Sequence, residues 1–218
     1  MKEYKWDNGL LAVKEEIKQR LSQSEATIKL PILVIIAGGT CSGKTTFAQE
    51  LFGFFGSDVS LVISLDNYYK DYRDKTLPRD GNGHFLFDHP QAYRFWKLID
   101  TIYRLSNGKK SYLPRYDIAS NTIIEERGDI LLPHPVIIVE GLFSVMYLND
   151  FVSRFNQLRI YLEVDYQTAL TRRLERDTKS YGVSRERVEK KFIEKIWPSH
   201  NDFVVNQKWQ TDIIVKSF

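Results

Sequence analysis

Residues 35–46, IIAGGTCSGKTT, constrain this chain more than any other stretch. The apolar run ILVIIA feeds a glycine-rich loop that closes on one lysine and two threonines. An unbroken apolar run suits a strand buried on both faces of a parallel sheet. The segment that follows, TTFAQELFGFF, has helical periodicity. Residues 38–45 fit G-x-x-x-x-G-K-[ST], with a strand before and a helix after, as that pattern requires. Glycines let backbone N–H groups turn inward around phosphate oxygens, and the helix N-terminus adds its dipole. Gly38, Gly39, Thr40, Cys41, Ser42, Gly43, Lys44, Thr45 and Thr46 are therefore the expected phosphate-cradling set. Lys44 should reach the β and γ phosphates of a nucleoside triphosphate, and the Thr45 hydroxyl should ligate Mg²⁺. Cys41 reads as a small loop residue facing away from phosphate rather than as a reactive thiol.

The rest of the chain repeats the strand-then-helix alternation. VSLVISL, PVIIVEGLF and LRIYLEVD read as buried strands, and TDIIV as a short last one. VSLVISL runs into Asp66, and the apolar part of PVIIVEGLF ends at Glu140. QAYRFWKLIDTIYRL, YQTALTRRLERD and RERVEKKFIEKIW read as helices, the first stopped by Asn107-Gly108 and the last halted at Pro198. The segment KSYLPRYDIASNTIIEERGDILL reads as a hairpin. Alternating buried strands and helices imply an α/β sandwich around a mostly parallel sheet, with ligands at the carboxyl ends of the strands. Trp6, Leu10, Val13, Ile17 and Leu21 recur at helical spacing, which predicts an amphipathic helix packed on the core. Residues 1–29 divide as this helix and a polar linker, SQSEATIK, and residues 30–218 as the main domain.

The carboxylates supply the second half of a site. Asp66, at the end of its strand and facing the loop from a neighbouring strand, could accept a proton from an attacking hydroxyl or simply cap the next turn. Glu140 stands where an acidic residue could hold Mg²⁺ through water. Asp88, in FDHPQAY, could bind a diol or act as an N-cap before Pro90. Arg172, Arg173 and Arg176 precede the Gly-containing segment TKSYGVS, as a lid that closes over phosphate would, or as an ordinary solvated helix face. The histidines show no zinc-ligand spacing.

Composition narrows the class. The chain has 218 residues, 43% hydrophobic and 27% charged, as expected of one globular domain. A net charge of +3 is too small to argue for nucleic acid. A single cysteine excludes an intrachain disulfide framework. MKEYKWDNGLL has no apolar leader region, and no run approaches the ~20 residues of a membrane span. The expected setting is cytoplasmic, with neither membrane nor nucleic acid as partner.

In this order, GGTCSGKTT, SLDNYYKD, FDHPQAY, LPRYDIASNT, IIVEGLF and LTRRLERD resemble the uridine kinase and phosphoribulokinase family of P-loop kinases, most closely uridine–cytidine kinases. The resemblance covers nearly all of the chain after residue 31. It implies a P-loop NTPase three-layer α/β sandwich with a mostly parallel sheet, a β-hairpin insertion and a lid. It also implies ATP and Mg²⁺ as donor and cofactor, a nucleoside-like small molecule as acceptor, and a homo-oligomer. Asp66 becomes the catalytic base toward a ribose 5′-hydroxyl, with Lys44 at the phosphates. Tyr69 lines the acceptor pocket, Asp88 and Arg173 bind ribose hydroxyls, and Tyr116 packs near the base. Arg172 and Arg176 belong to the lid over the ATP phosphates. The chain departs from the family pattern where the base is handled. Asn121 stands in place of a histidine, Tyr181 and Val183 in place of arginines, and Lys191 in place of a glutamine. Another ribosyl or sugar-like alcohol (nicotinamide riboside, pantothenate or a sugar phosphate) is the alternative acceptor. A nucleotide-binding regulatory protein without a kinase reaction is the alternative class; no N-K-x-D motif supports its GTP version.

Overall fold

The computed structural model describes residues 1–23, 30–149 and 156–217. Six parallel strands form the central sheet in the order β1-β10-β9-β2-β8-β3. They are β1 Lys2–Lys5, β2 Ile32–Gly38, β3 Ser60–Ser64, β8 Val136–Glu140, β9 Asn156–Glu163 and β10 Ile213–Lys216. All residues of β2 and β8 are buried, as their unbroken apolar sequences require.

Alternation along the strands divides the core between the two faces of the sheet. Leu33, Ile35, Ile137 and Val139 pack with α3 (Phe95–Ser106) and α4 (Ser144–Leu148). Ile32, Val34, Ile36 and Ile138 pack on the opposite face with α1 (Trp6–Ser22) and α2 (Lys44–Phe55). The result is a three-layer sandwich, as the alternation of strands and helices implies. Each large apolar side chain removed from water in these layers contributes about 1.5–3 kcal/mol.

Helix α1 packs on the core as its periodicity predicts, through Leu10, Val13 and Ile17. The strand that precedes it was not expected. KEYK has no apolar alternation, and β1 is a mostly exposed edge strand whose lysines suit an unpaired edge. The polar linker expected at 22–29 lies, from residue 24 onward, outside the described residues.

The insertion between α3 and β8 is a nested pair of hairpins. Strands β4 (Ser111–Tyr112) and β7 (Ile130–Leu131) enclose β5 (Arg115–Asp117) and β6 (Thr122–Glu125). Asn107 caps α3 and Gly108 follows in a left-handed conformation, the expected stop.

Helices α5 (Tyr166–Tyr181) and α6 (Arg185–Lys191) follow β9, joined at Gly182. Leu170, Leu174, Val188 and Phe192 hold them together in a small core of their own. The helical path does not halt at Pro198. It continues through π stretches at Phe192–Ile196 and His200–Val204 to a 3₁₀ turn at Val205–Gln210. A π bulge changes the backbone pairing locally, so the missing proline N–H can be accommodated. Stacking of Trp197 on His200 (centroids 4.5 Å apart) and on Phe192 (5.7 Å) carries the chain across it. No helix among the described residues is long and apolar enough to cross a membrane.

Candidate active site

Parallel strands place all their carboxyl ends on one edge of the sheet, and the expected site residues collect there. The loop after β2 wraps onto the start of α2. Gly43 caps that helix with φ +89°, a conformation open to glycine and costly for other residues. Cys41, with φ +57°, makes the other left-handed turn of the loop. The Lys44 ammonium lies inside the loop and donates to the Gly39 carbonyl at 2.7 Å. Burial lowers its pKa, partly opposed by the carboxylates of Glu140 and Asp66. Ser42 is fully buried, and its hydroxyl has no hydrogen-bond partner among the described residues.

Strand β8 sits beside β2 and carries Glu140, which is buried. The Thr45 hydroxyl donates to Glu140 Oε1 at 3.3 Å. A hydroxyl and a carboxylate brought together at the mouth of a phosphate loop form a hard-oxygen pair suited to Mg²⁺.

Asp66 follows β3, which ends at Ser64 rather than at Asp66 itself. Strand β3 is not a neighbour of β2 either; β8 lies between them. Asp66 therefore approaches the loop across the end of β8, past Glu140. The capping role belongs to Ser64, whose hydroxyl accepts from the Asp66 N–H at 3.3 Å. The Asp66 carboxylate is left to the cavity. Desolvation first, and the Glu140 charge second, raise its pKa to about 6. Lys44 and Arg176 pull the other way.

One cavity of about 1140 Å³ joins these groups to the residues expected on the acceptor side. Tyr69, Phe87, Asp88, Tyr116 and Asn121 line it. Tyr69 stacks on Tyr93 at 4.1 Å between centroids and leans on Tyr116 at 5.3 Å. The Tyr93 hydroxyl donates to that of Tyr69 at 2.5 Å. Burial raises the pKa of both phenols, so both stay neutral hydrogen-bonding groups. The Tyr116 hydroxyl is buried without a partner among the described residues. Asn121, with φ +56°, turns the inner hairpin toward the cavity, and its carbonyl accepts from the Tyr72 N–H at 2.9 Å. His89, not Asp88, caps the turn at Pro90–Ala92, accepting from the Gln91 N–H. Asp88 is thus relieved of the structural duty that its sequence setting suggested.

The three arginines of α5 separate. Arg176 faces the catalytic edge and bonds Asp177 at 2.8 Å. Arg173 bonds Asp177 at 3.0 Å and the Thr40 hydroxyl at 2.8 Å, so its hydrogen bonds run to the phosphate loop and not to Asp88. Arg172 donates to the Cys41 carbonyl at 3.2 Å and to Ser217 Oγ at 2.7 Å, tying the end of β10 to the loop. Asp177, buried and shared by two arginines, was missed in the sequence. Its spacing of four from Arg173 was the available signal. Trp6 and Ser217 also line the cavity, and neither carries a motif that could have marked it.

A cavity with a phosphate loop, a hydroxyl–carboxylate pair and a second carboxylate of raised pKa can bind a triphosphate and orient an incoming hydroxyl. Comparison with known proteins agrees with this geometry. The family model described as "Phosphoribulokinase / Uridine kinase family" matches residues 33–218. A uridine kinase from Staphylococcus aureus (strain JH9) is 35% identical over 191 residues, which span 86% of this chain and 88% of that protein. Among solved structures, D-glycerate 3-kinase from Cryptococcus neoformans superposes with a TM-score of 0.61 at 15% identity, covering 95% of each chain. A Bacillus stearothermophilus structure described as "a Possible Uridine Kinase" gives 0.59 at 17%, covering 94% of this chain and 98% of that one. The two structures share the fold. With the family model spanning the sheet from β2 to its end, the chain belongs to the phosphoribulokinase / uridine kinase family of ATP-dependent kinases.

Proposed function

We propose that this kinase transfers the γ-phosphoryl group of ATP to the 5′-hydroxyl of a pyrimidine ribonucleoside, uridine or cytidine. The observation that carries the reading is that two sets of residues share one cavity. Lys44 and Thr45 of the phosphate loop line it together with Asp66, Asp88, Tyr69 and Tyr116. The S. aureus uridine kinase supplies the acceptor class.

Asp66 orients the attacking hydroxyl and accepts its proton as the transition state loosens. Asp88 accepts hydrogen bonds from the ribose diol. Tyr116 offers its unpartnered hydroxyl to the acceptor, and Tyr69 packs against it. Lys44 and Arg176 face the developing negative charge, where placed cations in a shielded site act most strongly. Arg172 and Arg173 brace the loop through the Cys41 carbonyl and the Thr40 hydroxyl. Mg²⁺ held by Thr45 and Glu140 would neutralise charge on the phosphate oxygens. A homo-oligomer is part of this reading, supported by the family resemblance and by exposed Trp96, Ile124 and Ile130.

A second acceptor class is favoured by a specific observation. Asn121, Tyr181, Val183 and Lys191, the positions that depart from the family pattern, all line the cavity. A polar pocket built for one edge rejects a partner lacking it. A different diol-bearing alcohol would then be the substrate. An ADP-release assay across nucleosides, vitamins and sugars tests both readings. Turnover with uridine or cytidine is expected. Silence with both, alongside turnover of another alcohol, removes the pyrimidine assignment.

A further inference from the structure

We infer that Trp6 forms the wall of the donor site that stacks on the purine base of the nucleotide, so that the segment preceding the family domain completes the ATP pocket. This rests on the ATP-binding reading of the phosphate loop.

The argument begins with strand order. Asp66 ends the β3 side of the sheet, the P-loop strand β2 lies in the middle, and β10 and β1 close the far side. Every strand is parallel, so the residue after β1, Trp6, emerges on the same ligand-bearing edge as the loop and Asp66. Phosphoryl transfer requires the γ end of the triphosphate beside Asp66. The nucleoside end must then run the other way, toward β10 and β1.

What waits there is an aromatic ring. Trp6 is only half-buried and lines the shared cavity. A Cβ placed on Gly43 would stand 2.9 Å from Trp6 Cη2 and 3.8 Å from Ser217 Oγ, so the indole lies directly against the last turn of the phosphate loop. Phe47 meets the ring edge-to-face at 5.2 Å and fixes its plane. Arg172, held by Ser217, brings a guanidinium to the same end of the cavity. A rigid aromatic and an arginine plane make a stacking platform for a base, with Ser217 supplying a polar edge. The family model begins at residue 33, so β1 and Trp6 lie outside the matched segment.

The test compares a ligand with a base to one without. Binding of ADP and of inorganic tripolyphosphate to the full chain is measured by calorimetry for the wild type, Trp6→Leu and Trp6→Phe. Trp6→Leu is expected to weaken ADP about tenfold while leaving tripolyphosphate within about twofold. Trp6→Phe keeps a stacking ring and should hold ADP within about threefold. Tryptophan emission should be quenched by ADP in the wild type, and Trp6→Phe should abolish that part of the quench. Equal weakening of both ligands by Trp6→Leu would mean that Trp6 only supports the loop, and would overturn the inference. If circular dichroism shows Trp6→Leu unfolded, undiminished quenching in Trp6→Phe overturns it instead. A wild type that binds neither ligand brings down the ATP reading itself.

Discussion

Gly141 offers a direct test of how the catalytic edge is held in register. It follows Glu140, and a Cβ at this position would lie 2.3 Å from Leu65 Cβ and 2.9 Å from Leu65 Cδ2. Ordinary contact is 3.4–4 Å, and the partner is no flexible tip but the first side-chain atom of a fully buried leucine. Gly141→Ala therefore forces the two elements apart by about 1 Å, and the residue after Leu65 is Asp66. Overpacking of this kind costs about 1–3 kcal/mol. At about 2–4 °C per kcal/mol for a chain of this size, the melting temperature should fall by about 2–12 °C. The larger effect is on chemistry. A displacement of about 1 Å in a positioned group costs about 100-fold. The assay is steady-state ADP release with the acceptor found in the screen, alongside ADP binding and thermal melting. The expected result is kcat down about 100-fold, ADP affinity within about threefold, and a folded protein at assay temperature. A variant that melts like the wild type and retains half its kcat would refute the claim that Gly141 and Leu65 set the position of Asp66.

Other consequences of the geometry can be checked with equally simple measurements. Asp66→Asn should lower kcat by about 10²–10⁴, the range for a lost general base, while ADP binding stays within about threefold; near-normal turnover would remove Asp66 from the reaction. Because its carboxyl is raised to about 6, Asp66 is a carboxylate above that pH and protonated below it. Acceptor kcat/KM should therefore fall as pH drops through about 6, and an acid limb near 4 would contradict the desolvated setting. His200, packed under Gly39, has its pKa lowered from 6.5 to about 4, chiefly by burial. The unfolded chain takes up that proton first, so the contribution of His200 is complete above about 6.5 and is lost as pH falls toward 4. The slope approaches about 1.4 kcal/mol per pH unit for one full proton. His200→Phe should flatten this part of the stability profile in urea melts. Asp66 acts with the opposite sign between 6 and 3.8, so the comparison is cleanest in the Asp66→Asn background.

Much of this protein was legible in its sequence because the signals are local. A buried parallel strand must be apolar on both faces, so β2 and β8 announce themselves, and the loop between β2 and α2 needs its glycines and lysine at fixed spacing. Asp66 and Glu140 were legible for the same reason, as carboxylates that follow apolar runs. Other features depend on what lies across the sheet. Nothing in KEYK reports that it pairs with β10, because an exposed edge strand has no apolar alternation to show. Whether Asp66 and Asp88 serve as caps was open until Ser64 and His89 took the capping bonds. The arginines of α5 look equivalent along the helix, yet one faces the site, one braces Thr40 and one holds Ser217. Pro198 read as a stop because its effect on a regular helix is local, whereas the π stretches around it are held by stacking between Phe192, Trp197 and His200. Sequence alone determined the buried strands from β2 onward, the phosphate loop and the identities of the acid groups, since each is written within a few consecutive residues. Only the tertiary structure decided which side chains are free to act and that Trp6 stands beside Gly43, because those outcomes depend on partners far away along the chain.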